Sequence, residues 1–482
     1  MKLTEIVSIP PSRQGPKMGE EIQPLNGFQQ MMLRWEQHLP LNAMHFVELN
    51  SRPDRQHVSE SLAEACRNLG LRRARVDQTG KTLIWESKLA GLANSGPSLT
   101  WETCTAAEDE CVERILNREL NTPFEEGFHW PIRAVQIEQD RDSTFLGLVY
   151  HHMVTDARGI SLLMREWLRR VGNQLLPGDS RPFEYTSPAR EKTDAIGWRQ
   201  EFAGLSRTVK DLLTLMRCRR ASPDFQVSRR IHSGIHETSA RLALLRGFSR
   251  VFGATVGELV LTALFEALTL MMGHRSGTKV PLALCLPVDL RSPGDESTGV
   301  YLGQMLGSLT IQDTGFVGEG FASRVGRIAV KARALKQSGR ATGHSAQMRV
   351  MSRLWDLAPD WVNRRTGPAL IPLAGCLSNV NFTEFMTPDV QSGLLRSYHR
   401  FSGTGPLVPL MISLTTLPST VSLTTSHHSD VFTDGQVRRL MNHIRLRIQG
   451  ELPDQSSPEL FENLPVQESF GKSAEWQRSR AA

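Results

Sequence analysis

The sequence predicts an α/β chain of two packed units, and three observations predict it. The 482 residues exceed the roughly 250–300 at which a single hydrophobic core stops growing. Each half holds an apolar run of strand length, Thr144–Tyr150 (TFLGLVY) and Lys279–Val288 (KVPLALCLPV), the composition of strands buried on both faces. Each half also holds a long helical stripe. Ile160, Leu163, Met164, Trp167, Leu168 and Val171 make the first; Val256, Leu259, Val260, Ala263, Leu264, Ala267, Leu268 and Met271 make the second.

Residues 1–24 are rich in proline, glycine and charge and read as a flexible tail. The first unit spans 25–178. Within it Asn42–Leu49 is a predicted strand and His57–Asn68 a helix with Val58, Leu62, Ala65 and Cys66 on one side. Cys104–Leu120 is a further helix, stopped by Asn121-Thr122-Pro123. Pro131–Glu138 and Thr144–Tyr150 are strands, and the polar turn Gln139–Ser143 makes them a hairpin. A segment rich in Pro, Ser and charge makes 179–196 the linker.

The second unit spans 197–452 and opens with a helix near Trp198–Arg220. Thr255-Val256-Gly257-Glu258 has capping-box spacing ahead of the second stripe, and Gly273 stops it. Strands are expected at Lys279–Val288, Gly375–Asn381, Leu410–Leu414 and Val421–Ser426, a closing helix at Thr433–Glu451, and a polar tail at 453–482.

Hydrophobic residues make up 40% and charged residues 22%, a balance that folds rather than stays disordered. The formal net charge of +6 favours anionic partners and leaves room for peripheral contact with an anionic membrane face. Charge alone, without a motif, does not indicate nucleic acid. The six cysteines (Cys66, Cys104, Cys111, Cys218, Cys285, Cys376) include no CxxC pair. They are too sparse for a disulfide framework, which points to a reducing, cytoplasmic setting. The N-terminal stretch lacks an apolar core of signal-peptide length. Leu259–Met272, the longest apolar stretch, carries Glu266 and is too short to span a bilayer.

The chemistry concentrates in His151-His152-Met153-Val154-Thr155-Asp156, between a buried strand and a helix. Active groups collect where buried strands end and loops open. Imidazole titrates near neutrality, so it can take a proton from a hydroxyl or amine and return it to a thiolate. Adjacent residues leaving a strand point to opposite sides, so one ring faces a site while the other packs inside. The residues alone leave a second reading open: a buried histidine pair, with Asp156 an ordinary helix N-cap. The spacing is not HExxH, and no Cys or carboxylate lies at a ligand offset, so no metal site is expected.

FLGLVYHHMVTDARG resembles the strand and HHxxxD motif of the chloramphenicol acetyltransferase-like superfamily, which includes condensation domains, wax ester/diacylglycerol acyltransferases and polyketide-associated acyltransferases. Softer likenesses lie in Glu119–Ile137 (ELNTPFEEG…WPIRAVQI), Gly253–Leu268, Leu286–Arg291 (LPVDLR), Leu377–Phe382 (LSNVNF) and SHHSDVFTDGQVRRLMNHI. Together they cover most of residues 25–450. The resemblance implies a pseudo-dimer of two α/β subdomains with an active-site tunnel between them. It implies His152 as general base, His151 as a supporting residue, and Asp156 paired with Arg291. It further implies a CoA or carrier-protein phosphopantetheine thioester as acyl donor, a small-molecule alcohol or amine as acceptor, and no permanently bound cofactor. A monomer is expected. Candidate oxyanion donors are Gly159 with its neighbouring backbone N–H groups, Ser378 and Asn379. The leading expectation is transfer to an alcohol. The alternatives are a free-standing condensation-type amide synthase and a catalytically inactive carrier-protein-binding relative. Two departures stand out: Ala157 occupies the position after the Asp where the family usually has Gly, and the DFGWG signature of the plant-type branch is absent. A second pair, His427-His428, lacks the xxxD continuation and reads as a strand end.

Overall fold

The computed structural model describes most of residues 19–464; outside the description lie 88–95, 105–110, 173–212, 222–232, 292–302, 364–370, 387–392 and a few shorter stretches. The expected linker at 179–196, the start of the helix near 198–220, and much of both tails fall outside the described residues.

The first half runs β1 (Glu21–Pro24), α1 (Gly27–Glu36), β2 (Asn42–Leu49), α2 (Arg55–Asn68), β3 (Ala74–Val76), β4 (Thr82–Trp85), β5 (Leu99–Cys104), α3 (Cys111–Asn121), β6 (Ile132–Gln139), β7 (Ser143–His151) and α4 (Ala157–Val171). The second half runs β8 (Ser233–Arg241), α5 (Leu242–Val251), α6 (Val256–Met272), β9 (Lys279–Asp289), β10 (Leu306–Phe316), α7 (Phe321–Gln337), α8 (His344–Leu357), β11 (Gly375–Asn381), β12 (Leu395–Ser402), β13 (Leu410–Thr416), β14 (Thr420–His428), α9 (Asp434–Gln449) and α10 (Pro458–Glu462). A five-stranded sheet in the order β12-β2-β7-β6-β5 and a six-stranded sheet in the order β10-β9-β11-β13-β14-β8 form the two units, and β1-β4-β3 is a small third sheet.

The expected hairpin is present: β6 and β7 pair antiparallel from Ile132↔Tyr150 to Gln139↔Ser143. The stripe of α4 lies against that sheet, with Ile160, Leu163, Met164, Trp167 and Leu168 all fully buried among Leu146, Leu148 and Val58. Each such side chain contributes about 1.5–3 kcal/mol on burial. On the opposite face α3 presents Ile115 and Leu116 to Phe46 and Val135. Gly147 sits at the crowded centre of β7. A Cβ there would lie 2.1 Å from Met44 Cε and 2.6 Å from Val135 Cγ1. In the second half the Thr255/Glu258 capping box is formed at the start of α6. Glu266, the one charge in that apolar stretch, is paired with Arg447 at 2.7 Å, and His443 Nε2 lies 3.0 Å from it. No single described helix is long and apolar enough to cross a membrane.

Five features differ from the sequence reading, the first being that the helix expected over Cys104–Leu120 begins at Cys111, with Cys104 ending β5. Glu21–Pro24 is a strand paired with β4 rather than the end of a loose tail, and Pro458–Glu462 is a capped helix within the expected polar tail. Cys104 and Cys111 are joined by a disulfide that spans only seven residues, a local bridge with no CxxC spacing to announce it. The boundary between the units is also crossed: β12 leaves the second half and pairs antiparallel with β2 of the first. This covers an edge that would otherwise expose unpaired backbone groups. Pairing between segments about 350 residues apart leaves no local trace in the sequence, because periodicity reports only neighbours along the chain.

Candidate active site at the interface of the two halves

The HHxxxD segment leaves the end of β7 and enters α4, between the two sheets. Its backbone is held from the first half: His152 N–H donates to Leu41 O at 3.1 Å, and the Gln29 side-chain amide donates to Met153 O at 2.8 Å. Gln29 also closes a capping box with Asn26 at the start of α1. That Asn-x-x-Gln spacing was a readable signal for a helix that the sequence reading missed.

The two histidines point apart, as expected of consecutive residues leaving a strand. His151 is buried. Its Nδ1 accepts from Met153 N–H at 3.3 Å, its Nε2 lies 3.2 Å from Glu36 Oε2, and its ring tilts against Phe124. Burial, with the neighbouring charges of His152 and Arg133, holds its pKa down at about 4. Burial also raises the Glu36 carboxyl to about 7. His152 lines a cavity of about 740 Å³. Its Nδ1 is buried, which leaves Nε2 as the nitrogen on the open side. Burial lowers the His152 pKa, and the Arg400 cation acts in the same direction; Asp156 and the His152 and Thr155 backbone oppose them. The ring is therefore neutral at neutral pH, the form that accepts a proton.

Arg400 is a buried cation near the site that the sequence reading missed. It enters the first unit on β12, is 1% exposed, and among the described residues its guanidinium donates to neutral oxygens: Thr415 Oγ1 at 2.9 Å, Leu414 O at 2.9 Å, and Ser378 Oγ and O at 3.3 and 3.2 Å. Burial pulls its pKa down to about 10. Its charge nonetheless weighs on His152 and His45.

Asp156 is fully buried and serves both halves. Its Oδ1 caps α4 by accepting from Arg158 N–H (3.1 Å) and Gly159 N–H (2.9 Å). Arg291, just beyond β9, reaches Oδ1 at 3.1 Å and Oδ2 at 3.0 Å, and Met305 N–H donates to Oδ2 at 2.8 Å. The N-cap reading and the Arg291 pairing are therefore both present in one carboxylate. Ala157 is the first residue of α4 and has ordinary right-handed backbone geometry, so this turn does not need a glycine.

The expected oxyanion donors fare differently. Gly159 N–H is committed to Asp156. Ser378 Oγ accepts from Arg400, and Asn379 packs its amide against Gly257. Neither Ser378 nor Asn379 is on the cavity wall, which on that strand is formed by Cys376. None of the three is among the residues that line this cavity. Among the described residues no cluster of three metal-ligating side chains occurs.

The cavity lies between the halves. Phe28, Met31, Met32 and Trp35 of α1 face it from one side, and β9, β10, α7 and α8 from the other. Its lining is mostly apolar and methionine-rich, a wall that adapts to flexible aliphatic groups.

No protein-family model and no curated protein sequence matches the chain. Solved structures do. The first condensation domain of the calcium-dependent antibiotic synthetase, in complex with a substrate analogue, is 13% identical with a TM-score of 0.66, covering 93% of this chain and 99% of that one. The condensation domain of the monacolin K polyketide synthase MokA is 15% identical at a TM-score of 0.59, covering 91% and 99%. A mutant starter condensation domain of rhizomide synthetase RzmA, in complex with C8-CoA and Leu-SNAC, is 12% identical at 0.61, covering 93% and 98%. With this coverage at both ends, the chain has the two-subdomain fold of these condensation domains.

Proposed function

We propose that the protein is an acyltransferase that moves an acyl group from a CoA or carrier-protein thioester to a small-molecule nucleophile, with His152 as general base. The observation that carries this reading is a neutral imidazole on the wall of an apolar cavity between the halves, at the end of a buried strand. The acceptor's O–H or N–H gives its proton to His152 Nε2 as the heteroatom attacks the thioester carbonyl. The tetrahedral intermediate then expels the thiolate, which takes the proton back from the imidazolium. His152 is thereby restored and no acyl-enzyme is needed. General-base assistance of this kind is worth about 10²–10⁴-fold. Asp156 and Arg291 act as positioning residues: they tie the HHxxxD loop to the second half and keep the cavity assembled.

The sequence reading favours an alcohol as acceptor. An amine is the second reading, and the neighbour solved with C8-CoA and Leu-SNAC favours it. Mass spectrometry of products decides between them: acyl-CoAs and acyl-carrier proteins are offered with mixed alcohols and amines. An ester or amide that forms with wild type and not with His152→Ala supports the reading. Absence of either product across the panel leaves the inactive, carrier-binding alternative.

A further inference from the structure

Two thiols share the cavity wall with His152. Cys285 on β9 and Cys376 on β11 are register partners on adjacent parallel strands. Both are free and both line the cavity. Cys285 is the more open; Cys376 is 1% exposed. The register puts both side chains on one face of the sheet, and Cys285 Sγ lies 3.0 Å from Ser308 Oγ. Adjacent strands run about 4.8 Å apart, inside the roughly 4.4–6.8 Å Cα separation that a disulfide spans. The mechanism above uses neither sulfur.

We propose that Cys285 and Cys376 form a dithiol modification site for hydroperoxides inside the acyl-transfer cavity. Cys285 is the attacking sulfur, because it is the thiol the cavity opens onto. The neighbouring Cys376 and the Ser308 hydroxyl hold its pKa below the ordinary thiol value, while Cys376 is pushed up by its neighbour and by burial. The thiolate attacks the O–O bond, giving a Cys285 sulfenic acid and releasing ROH. The Cys376 sulfur then attacks the sulfenic sulfur, a disulfide forms, and water leaves. The two sulfurs are oxidised and one peroxide is reduced. Cross-linking β9 to β11 reshapes the wall opposite α1 and removes the thiol that meets Ser308. The consequence for catalysis rests on the acyl-transfer reading; the oxidation chemistry does not.

The test uses the full chain, reduced, freed of reductant and treated with hydrogen peroxide or cumene hydroperoxide before alkylation and peptide mapping. A Cys285–Cys376 linked peptide is expected in both arms. The cumene arm is expected to be faster, because the cavity is apolar; a faster hydrogen peroxide arm assigns the small oxidant as the reagent. Cys376→Ser is expected to stop at a dimedone-reactive Cys285, and Cys285→Ser to give no linked peptide. Acyl transfer by oxidised wild type is expected to fall about tenfold or more, the scale of small displacements in an active site, and to return on reduction. Both thiols remaining alkylatable after peroxide would overturn the proposal. A quantitative disulfide with unchanged acyl transfer would uphold the modification site and overturn its consequence for catalysis. If the reduced wild type transfers no acyl group at all, the functional reading fails and the peptide map alone decides the dithiol.

Discussion

Two His-His pairs end two strands in this chain, one in each half, and the first of them opens onto the cavity between the halves. His151-His152 ends β7; His427-His428 ends β14. Both members of the second pair are buried, at 0% and 1% exposure. His427 Nε2 is spent on Asp434 at 3.1 Å and His428 Nε2 on Gly405 O at 3.2 Å. In the first pair one ring is similarly tied down, to Glu36 and Met153, while the other lines the cavity. The dipeptide is the same. What separates a structural pair from a candidate base is access to empty space, and that is settled by the facing half of the molecule.

The comparison is broken most severely by substitution at the two sites in parallel. His152→Ala is expected to lower kcat for acyl transfer about 10²–10⁴-fold with an unchanged circular dichroism spectrum. His428→Gln keeps the wild-type rate constant per folded molecule. Equal losses in both variants would remove the distinction. Next in size is Arg291→Ala, which strands the buried Asp156 carboxylate. Breaking a buried pair from one side costs about 3–5 kcal/mol, read as a fall in the denaturant midpoint. Asp156→Asn is expected to cost less, because the amide oxygen still caps α4.

How much of this was legible follows the range of each signal. The α4 stripe, the β6–β7 hairpin, the Thr255 capping box and the strands Asn42–Leu49 and Gly375–Asn381 are local patterns and could be read directly. The Asp156–Arg291 contact, 135 residues apart, came only through resemblance to a family. Arg400 left no trace, since its position depends on β12 crossing between units. The use of the Gly159 N–H was not legible either: a helix N-terminus offers free N–H groups, and here the preceding Asp156 takes two of them.

The comparison is sharpened by smaller effects. Gly147→Val in β7 is expected to destabilise by about 1–3 kcal/mol, the usual cost of overpacking, because Met44 and Val135 already fill the space. Thermal unfolding checks it.

The pH dependence separates the pairs again. In the proposed mechanism the active form of His152 is the neutral ring, present above its folded pKa and lost as pH falls through it. Since that pKa is lowered, the acid limb of the rate profile lies below the ordinary imidazole value of about 6.5. Arg400→Gln removes a charge that depresses it and shifts the limb upward. His151 and His428, each held at about 4, act on stability instead. The unfolded chain binds their protons first as pH falls below about 6.5, so stability declines from there toward about 4. His428→Gln flattens that decline in Tm measurements.

The most direct test of His152 as the proton acceptor is chemical rescue of His152→Ala with added imidazole, followed by single-turnover acyl transfer from an acyl thioester. The account predicts a slow variant whose rate rises with imidazole, saturates as the base fills the cavity, and follows the free base rather than the imidazolium as pH is varied. A variant that transfers the acyl group at the wild-type rate before any imidazole is added would contradict it.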